Sequence, residues 1–417
     1  MRSAALVLAA CTIAFPAMAQ KAATPVPLAS RLQQARTTLQ VDAKGLHGPG
    51  AAVLADAIAA SRYVLIGEDH LSREIPEFAT GVCRLMAPDG LDAFAVEIGP
   101  EAARVVNENL HRPDRLTRLA NFMQAHPDAF AFQNGRDESD MTAACARLAG
   151  PQFQIWGLDQ EFFGAAGHLF EKMRTAHPGP TARAAIEKLA AADRATTAKA
   201  LASGSVGDLF VYQVTDRELA DAGRGINRDG GDRVRGLFDA LTETRAIYLG
   251  QNTDGFASNG RRARLMKRTL IGYLDARPRP ARVLFKFGDV HMAKGINGLG
   301  QRDVGNFVAE RAEGESAGSL HIAVYGAKGT HALYGGVGRQ VRHEPFVMTE
   351  DAEYAWLKDV LPAEQQGEAN DWTVVDLRPF RSKMPSDMSV AWRDVVRRYD
   401  LVVVAPELTP SSLIGTR

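Results

Sequence analysis

Neither sign of charge predominates in the 417-residue chain: 49 Lys and Arg residues stand against 49 Asp and Glu. Gripping nucleic acid through its phosphates needs a broad basic field, and this balance excludes one. Cysteine is scarce, with three residues, and none has metal-ligand spacing. Beyond the extreme N-terminus there is no apolar run long enough to span a membrane. What is present, 46% hydrophobic and 24% charged residues, is an ordinary globular composition, which excludes disorder as the dominant state. The length suits two or three typical domains, or one large α/β domain with insertions.

Residues Met1 to Gln20, MRSAALVLAACTIAFPAMAQ, place one Arg and an apolar stretch before Ala17-Met18-Ala19. This is the form of a secretory signal peptide with small residues at the cleavage point. We read residues 1–19 as the signal and 20–45 as a linker and N-terminal segment, giving a periplasmic or secreted protein. Leu8-Ala9-Ala10-Cys11 resembles a lipoprotein box, so membrane attachment through a lipid on Cys11 is the alternative. Cleavage after Ala19 leaves Cys83 and Cys145, a pair that an oxidising compartment would let bridge if the fold brings them within reach.

Eight short apolar runs recur along residues 46–417: Tyr63–Ile66, Ala93–Val96, Phe153–Trp156, Ala246–Leu249, Val283–Phe287, His321–Tyr325, Trp372–Val375 and Leu401–Val404. Stretches of helical spacing separate them. Such alternation predicts an α/β fold with a largely parallel central sheet flanked by helices. No strand is evident across 162–245, which reads as a helical insertion. Gly335-Gly336-Val337-Gly338 lacks the setting of a dinucleotide fingerprint and reads as a loop.

In open α/β sheets, ligands bind beyond the carboxyl ends of the strands. The first run ends in Gly67-Glu68-Asp69-His70, the second in Glu97, the third in Asp159-Gln160-Glu161, and the fifth in Gly288-Asp289-Val290-His291. Two strand ends thus carry the same Gly-x-x-His pattern, with an acidic end between them. Converging at one rim, they would surround a cavity with imidazoles and carboxylates. That set suits a divalent metal with an open position, or a His base oriented by a carboxylate. Crowded carboxylates call for a compensating cation; Arg262 and Arg264 are the candidates. Glu68 reads equally well as a helix cap or a site residue. Asp159 and Glu161 read as supporting or solvated groups, and Asp254 as part of the turn Asn252-Thr253-Asp254-Gly255.

These residues resemble the superfamily that joins erythromycin esterases, ChaN-like proteins and the TIKI/TraB proteases. The resemblance rests on Gly67-Glu68-Asp69-His70, Glu97, the helix start Arg262-x-x-x-Met266 and Gly288-Asp289-Val290-His291. It spans Tyr63 to Val308 around the insertion. One residue between Glu68 and His70 looks like ChaN or TIKI. The Arg262–Met266 span and the C-terminal Asp371–Arg378 look like the esterase branch. The resemblance implies an enzyme of hydrolase type, esterase or metallopeptidase, acting on a small-molecule or peptide substrate. It makes His70, Glu97 and His291 the central trio and metal ligands, with Glu68 and Arg262 in support. Under a ChaN-like alternative the same histidines would hold haem or iron. A third reading is an exported module whose pocket no longer catalyses. An ordinary serine esterase, with its nucleophile on a strand–turn–helix elbow, is disfavoured.

Overall fold

The computed structural model describes residues 26–361 and 371–415. The signal reading of residues 1–19 and the alternative at Cys11 lie outside the described residues. Among those described, no helix is long and apolar enough to cross a membrane.

The strands are β1 (Arg36–Asp42), β2 (Gly45–His47), β3 (Tyr63–Glu68), β4 (Ala93–Val96), β5 (Gln154–Gly157), β6 (Val283–Gly288), β7 (Ser319–Gly326), β8 (Lys328–Leu333), β9 (Arg342–Val347), β10 (Trp372–Asp376) and β11 (Leu401–Ala405). Nine of them form one sheet in the order β2-β1-β10-β11-β7-β3-β6-β4-β5, and β8 and β9 make a separate hairpin. The strands from β11 to β5 are parallel, while β10, β1 and β2 extend that sheet antiparallel. The fold is α/β, as the sequence predicts. β1 lies inside the segment read as a linker, and pairs Arg36 with Val375.

Successive strand residues point to opposite faces, and here each face is buried. Val64, Ile66, Phe94, Leu284, Ile322 and Val403 feed the core under the helices Glu74–Met86 and Arg136–Ala149. Leu65, Ala95, Phe285 and Phe287 feed the opposite core with Met266 and Leu270. Burial on both faces is why these strands read as continuous apolar runs rather than as alternation.

Seven of the eight apolar runs are strands of this sheet. Ala246–Leu249 is not: it forms the end of the helix Gly231–Gln251. The buried positions Val234, Leu237, Phe238, Leu241, Thr244 and Ile247 of that helix repeat at helical spacing. A run of four apolar residues cannot by itself distinguish a strand from a helix end. The helical insertion therefore continues past Arg245. Its helices Ala166–Thr175, Pro180–Ser203, Asp216–Asp229 and Gly231–Gln251 enclose their own core around Phe170, Ile186, Phe210, Ile226 and Leu237. The Gly335–Gly338 loop is the tip of the β8–β9 hairpin and docks on this insertion: Val337 is buried, and its N–H donates to the Gly204 carbonyl.

Cys83 and Cys145 are joined in a disulfide, with Cα atoms 5.4 Å apart and a sequence separation of 62. The bridge fastens the helix Glu74–Met86 to Arg136–Ala149, inside the core. Closing a loop of that length stabilises the fold by about 4 kcal/mol in the chain-entropy account. Replacing both cysteines by alanine should lower the urea midpoint and steepen the slope, because the uncrosslinked chain unfolds to a more expanded state, and reductant should then have no further effect. A midpoint unchanged by the double replacement would remove the bridge from the stability of this core.

Candidate active site

Strand β6 lies between β3 and β4 in the sheet, so their carboxyl ends are neighbours although β6 follows both by well over a hundred residues. Register aligns Glu68 with Gly288 and Val96 with Lys286. His70, Glu97 and His291 thus leave the same rim. The Glu97 carboxylate is at the centre. Its Oε2 accepts the Gly288 N–H at 2.7 Å and lies 3.2 Å from His70 Nε2. Its Oε1 accepts from Arg262 Nη2 at 2.6 Å and lies 3.5 Å from His291 Nε2. Each imidazole is also held from behind. His70 Nδ1 lies 2.9 Å from Glu68 Oε1 and His291 Nδ1 lies 2.8 Å from Asp303 Oδ2.

The glycines of the two Gly-x-x-His segments serve close approach rather than a left-handed turn. A Cβ on Gly67 would meet the Asp289 Cα at 2.8 Å, and one on Gly288 would meet His70 Nε2 at 3.1 Å. Larger residues would push the two strand ends apart. Strain sits beside them instead: Leu71 and Phe132 have φ of 63° and 59°, a region costly for bulky side chains. The Phe132 ring stacks on His70 with centroids 3.9 Å apart.

Arg262 comes from the helix Gly255–Asp275, whose first turn is capped by Asp254 accepting the Ala257 N–H. Asp254 is therefore a cap, in keeping with the turn reading. Nε and Nη2 of Arg262 bind the buried Asp159, and Nη2 also binds Glu97. Arg264 on the same helix is exposed and makes no part of this cluster. Glu161 accepts the Glu101 and Ala102 N–H groups at the start of the helix Pro100–Asn109, a capping role. Burial pushes its pKa to about 8 against those N–H groups. A cavity of about 230 Å³ opens over Glu97, Asp159 and Arg262, walled by Phe130, Phe132, Phe162 and Tyr248.

Charge sets the protonation. Burial by itself would lower the His70 pKa, but the Glu97 charge and the hydrogen bonds that the ring donates to Glu68 and Glu97 raise it to about 10. Burial pushes Glu97 up, yet His291, His70 and Arg262 hold it well below the usual carboxylate range. The resting pair is an imidazolium beside a carboxylate.

Three groups were not singled out from sequence. Lys286 is buried in the middle of β6, with Nζ bonded to Glu68 Oε1 and, at 2.5 Å, to Glu138 Oε1. A lysine inside an apolar run was its available signal, since Lys is almost never buried unpaired. Glu138, in the helix over this face, has its pKa raised to about 7 by burial, offset in part by Lys286. Asp303, before the helix Val304–Gly314, left no signal that separates it from an ordinary N-cap, and it does accept the Val304 N–H. Sequence assigned Glu68 to either a cap or the site; it makes no cap and links Lys286 to His70. The string Gly314-Glu315-Ser316-Ala317-Gly318 runs from a helix into the amino end of β7, at the rim opposite His70. That is the reverse of a nucleophile elbow's strand–turn–helix order.

Replacing Lys286 with methionine leaves Glu138 buried without its cation and Glu68 with His70 alone, which should cost about 3–5 kcal/mol. The deficit in urea unfolding should grow with rising pH, because Glu138, already pushed to about 7 by burial, becomes costly to ionise without Lys286. An equal deficit at acidic and alkaline pH would contradict the pairing. The raised pKa of His70 makes a second statement. Between its unfolded value of 6.5 and about 10 the folded chain keeps a proton that the unfolded chain loses. Its stabilisation is complete below that window and lost as pH rises through it. The stability gap between the wild type and His70→Gln should therefore narrow across this range in urea titrations; a constant gap would contradict the imidazolium.

The sequence matches no family model, and no curated protein matches it. Solved structures do match its fold. A mutant of the erythromycin esterase EreC in its open conformation aligns with a TM-score of 0.63 at 14% identity, over 91% of this chain and 100% of that one. A succinoglycan biosynthesis protein aligns at 0.59 with 14% identity, over 92% and 97%. A Bacillus cereus protein aligns at 0.56 with 10% identity, over 92% and 98%. At such identities the likeness speaks for the fold. The chain has an erythromycin esterase-like fold.

Proposed function

We propose that the chain is an exported hydrolase that cleaves an ester or amide bond by attack of water. The observation that carries this reading is the Glu97 carboxylate, in contact with two imidazoles and a guanidinium at the wall of a cavity. His70 is the imidazole that reaches solvent: its side chain is 24% exposed, against 4% for His291. It is the group that takes a proton from water, once its own Nε2 proton has left. Glu97 orients it, and His291, fixed by Asp303, steadies Glu97 from the other side. The bonds of Arg262 to Asp159 and Glu97 leave from Nε and Nη2, which keeps Nη1 for an oxygen that gains charge during attack. The small cavity suits the reacting end of a substrate, small molecule or peptide, with the rest outside.

The resemblance also implies a divalent metal on His70, Glu97 and His291. The carboxylates behind both histidines would suit one. The Glu97 oxygens do not: they are already bonded to the Arg262 guanidinium and the Gly288 N–H, and a cation there would be set against Arg262. The reaction we propose is metal-free. Haem or iron binding would need His70 to stay deprotonated, whereas the carboxylates beside both ring nitrogens favour its protonated form; a group that loses and regains a proton fits that setting better than a permanent ligand, so the hydrolase is the better-supported use. The buried disulfide supports export to the periplasm or beyond, since such bonds persist in oxidising compartments; the lipid-anchored form through Cys11 is the variant of that reading.

With a panel of short-chain esters and peptides, His70→Ala should lower kcat/KM by ~100-fold or more. Because the base form of His70 is scarce at neutral pH, kcat/KM of the wild type should climb with pH above neutrality. Unimpaired turnover in the variant would remove His70 from the reaction. A wild-type rate that falls with rising pH would make His70 a proton donor instead of the base.

A further inference from the structure

A second cluster of potential ligands lies on the far side of Phe132's loop. His126 ends the helix Arg115–Ala125, while His168 and Glu171 sit three residues apart on one face of the helix Ala166–Thr175. Their donor atoms lie within 4.8 Å of one another. His126 Nε2 is 2.9 Å from Glu171 Oε2, and the two imidazole rings are 5.4 Å apart. His168 is only 4% exposed, and its Nε2 has no hydrogen-bond partner among the described residues. A buried nitrogen left unsatisfied costs about 1–3 kcal/mol, so an orphan beside two other donors asks for a ligand. Asp193, also buried, completes the surroundings. A Cβ on Gly167 would meet Asp193 Oδ2 at 2.9 Å and His126 Nδ1 at 3.7 Å, so this carboxylate and the outer nitrogen of His126 share the space that the glycine leaves open.

We propose that His126, His168 and Glu171 form a binding site for one divalent transition-metal ion, best matched by zinc. Two imidazoles and one carboxylate are too few oxygens for calcium or magnesium, which prefer oxygen-rich shells. Three protein ligands with an open fourth position are a common zinc arrangement. His126 and Glu171, with Asp193, line a cavity of about 390 Å³ through which an ion could enter. Of the arginines on that cavity, Arg174 is held by Glu187. The ion joins the end of the helix Arg115–Ala125 to the first helix of the insertion, so it braces the insertion against the body of the protein. This site stands on its own residues, independently of the proposed hydrolysis.

The test uses the full chain, stripped with a chelator and titrated with zinc by calorimetry, and with cobalt by its visible absorption. One equivalent should bind, and zinc should raise the melting temperature, because an ion that binds only the folded state stabilises it. Glu171→Gln and His168→Gln should each weaken binding at least about tenfold and abolish the thermal shift. Glu171 is exposed, so its variant keeps the test valid if the histidine variant fails to fold. His70→Ala should bind zinc like the wild type. Absence of binding to the stripped chain, or binding that survives Glu171→Gln and vanishes in His70→Ala, would overturn the proposal.

Discussion

A carboxylate buried at the end of a parallel strand is the constraint on which this molecule turns. Removing an ion from water costs several kcal/mol even after relaxation, so Glu97 can stay ionised only if cations and N–H groups replace its hydration. Two imidazoles, Arg262 and the Gly288 N–H do so. Those partners are then wholly or largely removed from water too, and each has its own counter-group: Glu68 for His70, Asp303 for His291, Asp159 for Arg262. Glu68 in turn requires Lys286, and Lys286 shares Glu138. One buried charge thus propagates into a chain of alternating charges that runs from the cavity down through the sheet to the helix above its other face. The chain fixes protonation as well as position, since His70 is protonated by its neighbours rather than by its own basicity.

Topology makes this chain possible. Strand β6 is inserted between β3 and β4 although it comes after the whole helical insertion, so residues from remote parts of the sequence meet on adjacent strand ends. The same alternation of side chains that sends Phe285 and Phe287 to one core sends Lys286 to the other. There it lies beside Glu68 of the neighbouring strand, because β3 and β6 are in register. A shift of one residue in that register would separate the ion pair and turn every strand side chain to the wrong core.

Much of this was legible in the sequence, for a physical reason. Strands buried on both faces have to be apolar runs, and their ends have to carry the polar residues of a rim site, so His70, Glu97 and His291 stand out once the runs are found. Glycine in both Gly-x-x-His segments was legible as a backbone requirement, although its use is clearance between strand ends. The remainder was hidden where the determining interaction is distant. Ala246–Leu249 has strand composition but obeys the spacing of a helix that begins at Gly231. Cys83 and Cys145 can be paired only by knowing that their helices are neighbours. Asp303 looks like a helix cap, which it is, and nothing local says that it also holds His291.

The C-terminal third, where the sequence resemblance ends, also bears on the site. Residues after β11 run along the rim: Arg73 donates its N–H to the Thr409 carbonyl, Glu74 accepts from Thr409, and Ser411 donates its N–H to the Leu71 carbonyl. The same tail holds the other loop, through Arg136 N–H to Ser412, Ile414 N–H to Asn134, and the Ser411 hydroxyl to Asp137. The two loops so fastened contain Leu71 and Phe132, the left-handed residues on either side of His70. A strained backbone persists only where its surroundings over-determine it. The end of the chain supplies that restraint, because it hydrogen-bonds both loops at once and neither loop carries a regular element of its own at that point. The orientation of His70 against Phe132 therefore depends on residues remote in sequence, chiefly through backbone hydrogen bonds, which tolerate almost any side chain and so leave little trace in a motif.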